Sequence, residues 1–271
     1  MAFMRMELYP MLEIFLNRLD SQEDVYKSLA KKLENEDISD KVSLSGYLLS
    51  REAPEEYHIY ISDEKVSNAG IDEITATFAE CEKTNCNIKT EVFVDEFLNL
   101  IDDEARLTRK VKPRSLVHRD GDLHPTVHIW MIKRRDMGIY VLLQKRSAQK
   151  RIHPDCYDVS AAGHVSQGGE FRSAAVREIY EELGLDIPRN KLEFIGLRRN
   201  LYSDGEINDN EMSAVYLCRE QIDIDQLKLD PEEVSEVCWA EIDEMLSVMK
   251  YNGFKNCISL EELDMIKKAV F

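Results

Sequence analysis

Residues 163–185 read GHVSQGGEFRSAAVREIYEELGL. Within them, Arg177-Glu178-Ile179-Tyr180-Glu181-Glu182-Leu183-Gly184-Leu185 places three carboxylates at offsets of three and four. Residues so spaced share one face of a helix, so Glu178, Glu181 and Glu182 form a compact anionic cluster. Ala175, Ile179 and Leu183 make an i, i+4 apolar stripe opposite them, and Gly184 supplies the stop. The glycine-rich turn from Gly163 to Gly169 precedes the helix, where backbone can approach a phosphate or a metal closely. An ExxEE run alone is most often a solvated helix face. The joint spacing of Gly163, Arg177, the three glutamates and Gly184 argues instead for oxygen ligation of a hard divalent cation such as Mg²⁺ or Mn²⁺.

The stretch resembles the signature of the Nudix hydrolases, G-x5-E-x7-R-E-U-x-E-E-x-G-U with U apolar. Gly163, Arg177, Glu178, Ile179, Glu181, Glu182, Gly184 and Leu185 occupy eight of its nine fixed positions. The ninth, the first glutamate, falls on Gly169, with Glu170 one step later. The resemblance implies an α+β fold, an α/β/α sandwich around a mixed β-sheet. It also implies metal ligation by Glu178, Glu181, Glu182 and the carbonyl of Ala162, with Arg177 orienting the glutamates through charge-assisted hydrogen bonds.

The chain has 271 residues, 44% apolar and 32% charged, enough to bury a sizeable core in one large or two small domains. No apolar run reaches the length of a membrane span and no signal-peptide pattern opens the chain, so a cytoplasmic location with no membrane partner is expected. Six scattered cysteines suggest reduced thiols; Cys81-x4-Cys86 lacks a second pair for zinc. A net charge of −17 disfavours nucleic acid as a partner. Residues 106–151 run against that balance, with thirteen Lys or Arg against three Asp. A basic stretch beside an acidic helix suits a small phosphorylated substrate, and Lys145, Arg146 and Lys150 are its candidate phosphate contacts.

Along the chain, residues 1–104 read as a smaller α/β N-terminal region of unknown role, with helix at 10–34 and 71–81, strands at 42–49 and 56–61, and an ambiguous segment at 88–101. Residues 105–120 have linker composition. The Nudix-like domain follows over 121–250, with strands expected at 127–132, 139–143, 157–161, 192–197, 212–217 and near 239, and a helix at 241–250. A C-terminal helical segment occupies 251–271. Homodimerisation is compatible with this organisation.

A second resemblance, to type I isopentenyl diphosphate isomerases and related bacterial Nudix hydrolases, rests on Leu123-His124, Leu142-Leu143-Gln144-Lys145-Arg146-Ser147 and Pro154. In those isomerases three histidines and two glutamates hold a divalent metal. His124 and His164 fall on two of the histidine positions, and Asp209 and Glu211 on the carboxylates. His118 is the third candidate, six residues before His124 and one short of the pattern. The isomerases also use a cysteine immediately before their Gly-His pair, where this chain has Ala162; alanine has no proton to give.

The expected enzyme is therefore a pyrophosphohydrolase, cleaving a diphosphate linkage in a nucleoside diphosphate derivative or related organic pyrophosphate. Its expected catalytic residues are Arg177, Glu181, Glu182 and Glu211, the last two rivals for general base, with His124 and His164 also at the substrate site. Two alternatives are an isomerase-like enzyme and a non-catalytic nucleotide-binding module.

Overall fold

The computed structural model of the chain describes residues 47–53, 56–62 and 89–270, apart from 136–137, 206 and 251–253. The helices expected at 10–34 and 71–81 lie outside the described residues. The chain divides into two units, the first running to Phe97 and including Lys112–Leu116, the second comprising Leu98–Val111 and Val117–Phe271. In the first, β1 (Tyr47–Ala53) pairs antiparallel with β2 (Glu56–Ser62), which pairs parallel with β3 (Lys89–Asp95).

The second unit carries the signature. Strand β4 (Phe97–Ile101) pairs with β5 (Leu107–Pro113), and α1 (Arg114–Asp120) leads into β6 (His124–Arg135) and β7 (Gly138–Arg146); of these, Phe97 and Lys112–Leu116 count with the first unit. Short strands β8 (Tyr157–Asp158) and β9 (Ala161–His164) precede the signature helix α2 (Phe171–Leu183). Then come β10 (Leu192–Ser203), β11 (Asn208–Cys218), β12 (Val234–Glu241), α3 (Ile242–Lys250) and α4 (Leu260–Val270). The sheet order is β10-β11-β6-β7-β12, with β8 on β7 and β9 on β6. Only β11 and β6 run parallel among these pairs; the others are antiparallel, so the sheet is mixed.

The alternation of β6 explains the sandwich. Successive side chains of a strand point to opposite faces. Val127, Ile129 and Met131 join Ala175, Ile179 and Leu183 of α2 in one core. Trp130 and Ile132 join Ile242 and Met245 of α3 and Leu263 and Ile266 of α4 in the other. Each such side chain contributes about 1.5–3 kcal/mol of burial, enough to fix helices on both faces. Among the described residues no helix is long and apolar enough to cross a membrane.

One expected boundary is corrected. Residues 105–120 are strand β5 and helix α1 rather than a linker; the basic side chains that gave a linker composition are mostly on the exposed side, while Leu116, Val117 and His118 are buried. The expected C-terminal helical segment contains α4, whose Leu263, Ile266 and Val270 belong to the second core.

Candidate functional site

Helix α2 begins after Glu170, whose backbone is extended and whose side chain makes no capping hydrogen bond. That glutamate, one place late for the signature, pairs with Arg189 at 2.8 Å and points away into solvent. The helix ends on Gly184 in the left-handed region, φ 68°, its N–H donating to the Tyr180 carbonyl. A Cβ there would come within 2.7 Å of Lys228 Cβ, so conformation and space both demand glycine.

Gly163 answers to space alone. A Cβ on it would lie 2.1 Å from the Glu178 carboxyl, so the missing side chain lets β9 press its backbone against that carboxylate. Arg177 closes the arrangement. Its guanidinium meets Glu178 and Glu181 at 2.7 Å each and donates to the His164 carbonyl at 2.9 Å. Glu182 is buried and accepts from the Ala162 N–H at 3.1 Å and from Gln144 Nε2 at 3.3 Å. Burial, then the neighbouring Glu178 charge, pushes its carboxyl well above the ordinary glutamate value. Three carboxylates so crowded, two of them buried, fit an oxygen-ligated Mg²⁺ or Mn²⁺. Ala162 is tied to this cluster through its N–H, whereas the resemblance implies a role for its carbonyl.

A second cluster adjoins the first through β9. His118 comes from α1, His124 opens β6, His164 ends β9, and Asp209 and Glu211 lie two apart on β11. The parallel register sets Glu211 against His124, and β9 sets His164 against Thr126. The three imidazole centroids are 5.1–5.3 Å apart. His124 Nε2 lies 3.5 Å from Asp209 Oδ1 and 3.9 Å from Glu211 Oε1, His118 Nε2 3.8 Å from Asp209 Oδ1, and His164 Nε2 4.0 Å from Glu211 Oε1. These spacings exceed hydrogen-bond length and approach the separation of ligand atoms around one ion at about 2.1 Å. Ligand atoms of His118, His124 and His164, and those of His124, Asp209 and Glu211, lie within 4.8 Å of one another. Imidazole with carboxylate suits Mn²⁺ or Zn²⁺ as well as Mg²⁺. Between His118 and His124 the chain leaves α1 and turns at Gly121, φ 70°.

The expected phosphate contacts do not assemble. Arg146 is engaged by Asp158 at 3.2 Å and by the Ile152 carbonyl, and Lys150 forms an ion pair with Glu233. Lys145 alternates with Gln144 along β7, so it faces away from the sheet side on which Gln144 reaches Glu182. In this structure the three cations are thus not gathered around one point. Gln144 and Asn99 are site-adjacent residues that the sequence reading passes over. An amide directly following the apolar run Val141–Leu143 is the signal that marks Gln144, which the fold buries. Asn99 donates to the Ser166 carbonyl at 2.8 Å and accepts from the Gly168 N–H at 3.4 Å, holding the glycine loop from β4; nothing in its sequence neighbourhood signals this.

The model of the NUDIX domain matches residues 122–258. An uncharacterized Nudix hydrolase of Clostridium acetobutylicum is 36% identical over 151 residues, covering 56% of this chain and 72% of that protein. The chain belongs to the Nudix family. An isopentenyl-diphosphate Delta-isomerase of Cutibacterium acnes is 27% identical over 161 residues, covering 58% of this chain and 79% of its own length. Among solved structures, a Deinococcus radiodurans protein aligns at 20% identity with a TM-score of 0.47, over 64% of this chain and 98% of its own.

Proposed function

We propose that this chain is a divalent-metal-dependent pyrophosphohydrolase, cleaving a diphosphate linkage in a nucleoside diphosphate derivative or related organic pyrophosphate. The observation that carries this reading is the intact carboxylate set: Glu178 and Glu181 gathered by Arg177, Glu178 given its space by Gly163, and Glu182 held by Ala162 and Gln144. A Mg²⁺ or Mn²⁺ bound there would neutralise charge on the phosphate oxygens and lower the pKa of a bound water. Arg177 orients Glu178 and Glu181 and ties them to β9. Glu182, held by Ala162 and Gln144, and Glu211, in the histidine cluster, are the two carboxylates proposed to take the proton of the attacking water.

The histidine cluster favours a second reading, an isomerase of prenyl diphosphates, which two relatives' names also carry. Ala162 opposes it, because the position that needs an acid holds a methyl group. A panel of nucleotide sugars, dinucleoside polyphosphates, ADP-ribose and NADH, assayed for phosphorylated products with Mg²⁺ and with chelator, tests the first reading. Cleavage that vanishes with chelator and returns with Mg²⁺ supports it. Proton exchange into isopentenyl diphosphate in heavy water, with no cleavage of any panel member, overturns it in favour of the second.

A further inference from the structure

Glu211 presents its two oxygens to different neighbours. Oε1 faces His124 and His164. Oε2 accepts from Asn200 Nδ2 at 3.3 Å, across a β10–β11 pair in which Asn200 and Glu211 are register partners. Asn200 Oδ1 accepts from Arg198 Nη2 at 3.0 Å, and Arg198 Nη1 meets Glu262 Oε1 at 2.8 Å. Glu262 is fully buried on α4 and also accepts from His128 Nδ1 at 2.7 Å and Trp130 Nε1 at 2.8 Å.

The residue types in this series are chemically constrained. A guanidinium only donates and a carboxylate only accepts, so the group between Arg198 and Glu211 must accept at one end and donate at the other. An amide does both, and its orientation follows from its neighbours. Charge imposes a second constraint. Arg198 is a largely buried cation whose Nη1 pairs with Glu262 Oε1 at 2.8 Å and whose Nε lies 3.9 Å from Glu261 Oε2. Glu262 anchors one end of the guanidinium and Asn200 accepts from the other, so the series fixes the Asn200 amide against Glu211.

We propose that Asn200, Arg198 and Glu262 are positioning residues that aim Glu211 into the histidine cluster, so that the C-terminal helix sets the affinity of that cluster for a divalent transition-metal ion. The inference rests on the reading of His118, His124, His164, Asp209 and Glu211 as a metal site. It reaches residues that lie outside the site and, for Glu262, outside the matched domain.

Mn²⁺ titration of the full chain by calorimetry tests it, with the histidine-site step identified as the one that His124→Ala removes. Asn200→Ala and Glu262→Gln are each expected to weaken that step about tenfold, in the range seen when groups behind metal ligands are removed. The double variant is expected to be no weaker than the weaker single, because both act through one series. Thermal unfolding of each variant reports its structural cost separately; should Glu262→Gln not fold, Asn200→Ala and Arg198→Lys carry the test. If His124→Ala removes no step, the metal reading fails and the proposal falls with it. If His124→Ala removes a step that Asn200→Ala and Glu262→Gln leave within twofold, or that they weaken additively, the positioning role is overturned while the metal reading stands.

Discussion

Gly163 shows how much a single missing side chain does here. The Glu178 carboxyl occupies the space a Cβ would take, so Gly163→Ala must displace the carboxylate, β9 or both. Forced overpacking of this kind costs about 1–3 kcal/mol, and a ligand moved by about 1 Å can cost on the order of 10²-fold in rate. The expected outcome is a folded variant with Mg²⁺-dependent turnover reduced by about that factor; wild-type turnover would show that Glu178 is not needed where it stands. Glu182→Gln keeps shape and removes charge, and kcat is expected to fall roughly 10²-fold or more if ligation supplies several kcal/mol to the transition state. Steady-state kinetics at saturating Mg²⁺ checks both. The signature glutamates were legible because helical spacing alone collects them on one face. The burial of Glu178 and Glu182 was not, since it depends on β9, whose last residue His164 precedes Glu178 by fourteen positions. Arg146 and Lys150 show the converse: local charge said nothing of Asp158 and Glu233, the carboxylates that the fold brings to them.

Strand centres were legible and strand ends were not. Strand β6 was expected over 127–132 and runs from His124 to Arg135; β11, expected over 212–217, begins at Asn208. The missing ends hold His124, Asp209 and Glu211, polar residues of the histidine and carboxylate cluster that break the apolar pattern. Helix α4 was legible from its periodicity, but its carboxylate's partners on β6 and β10 lie 64 or more residues away in sequence. Those partners make a pH-dependent link between elements. Burial alone would lower the His128 pKa, yet the Glu262 charge and hydrogen bond raise it to about 9. Burial would raise Glu262, yet His128 and Arg198 hold it at about 2. A raised histidine contributes stability that is complete below its unfolded pKa near 6.5 and lost as pH rises through the folded value. The Glu262 contribution is complete above about 4.5 and lost only toward pH 2. Urea unfolding is therefore expected to show stability falling by up to about 3 kcal/mol between pH 6 and pH 9.5, with the fall much reduced in His128→Gln. An equal fall in both proteins would assign the slope to other groups.

At the scale of the chain, the composition shift near residue 104 suggested a boundary that the fold does not observe. Strands β4 and β5 belong with the signature, although the matched domain starts at residue 122. Leu98 bridges to Ser166, Asn99 fastens the glycine loop on both sides of Gln167, and the Ile101 N–H donates to the Leu123 carbonyl at 3.1 Å. Leu98, Ile101 and Val117 are buried, and at about 1.5–3 kcal/mol each their loss rivals the 5–15 kcal/mol that holds a typical domain together. A chain beginning at residue 122 also lacks His118. Two truncations separate the possibilities. A fragment of residues 96–271 is expected to unfold cooperatively and to keep Mg²⁺-dependent cleavage. A fragment of residues 122–271 is expected to be less stable by several kcal/mol, with its glycine loop unfastened and its histidine-site Mn²⁺ step weakened by the missing ligand. Thermal melts and Mn²⁺ titration of the two fragments decide the matter. Equal melting temperatures would mean that β4 and β5 add nothing to the fold, and equal Mn²⁺ affinities would remove His118 from the metal site.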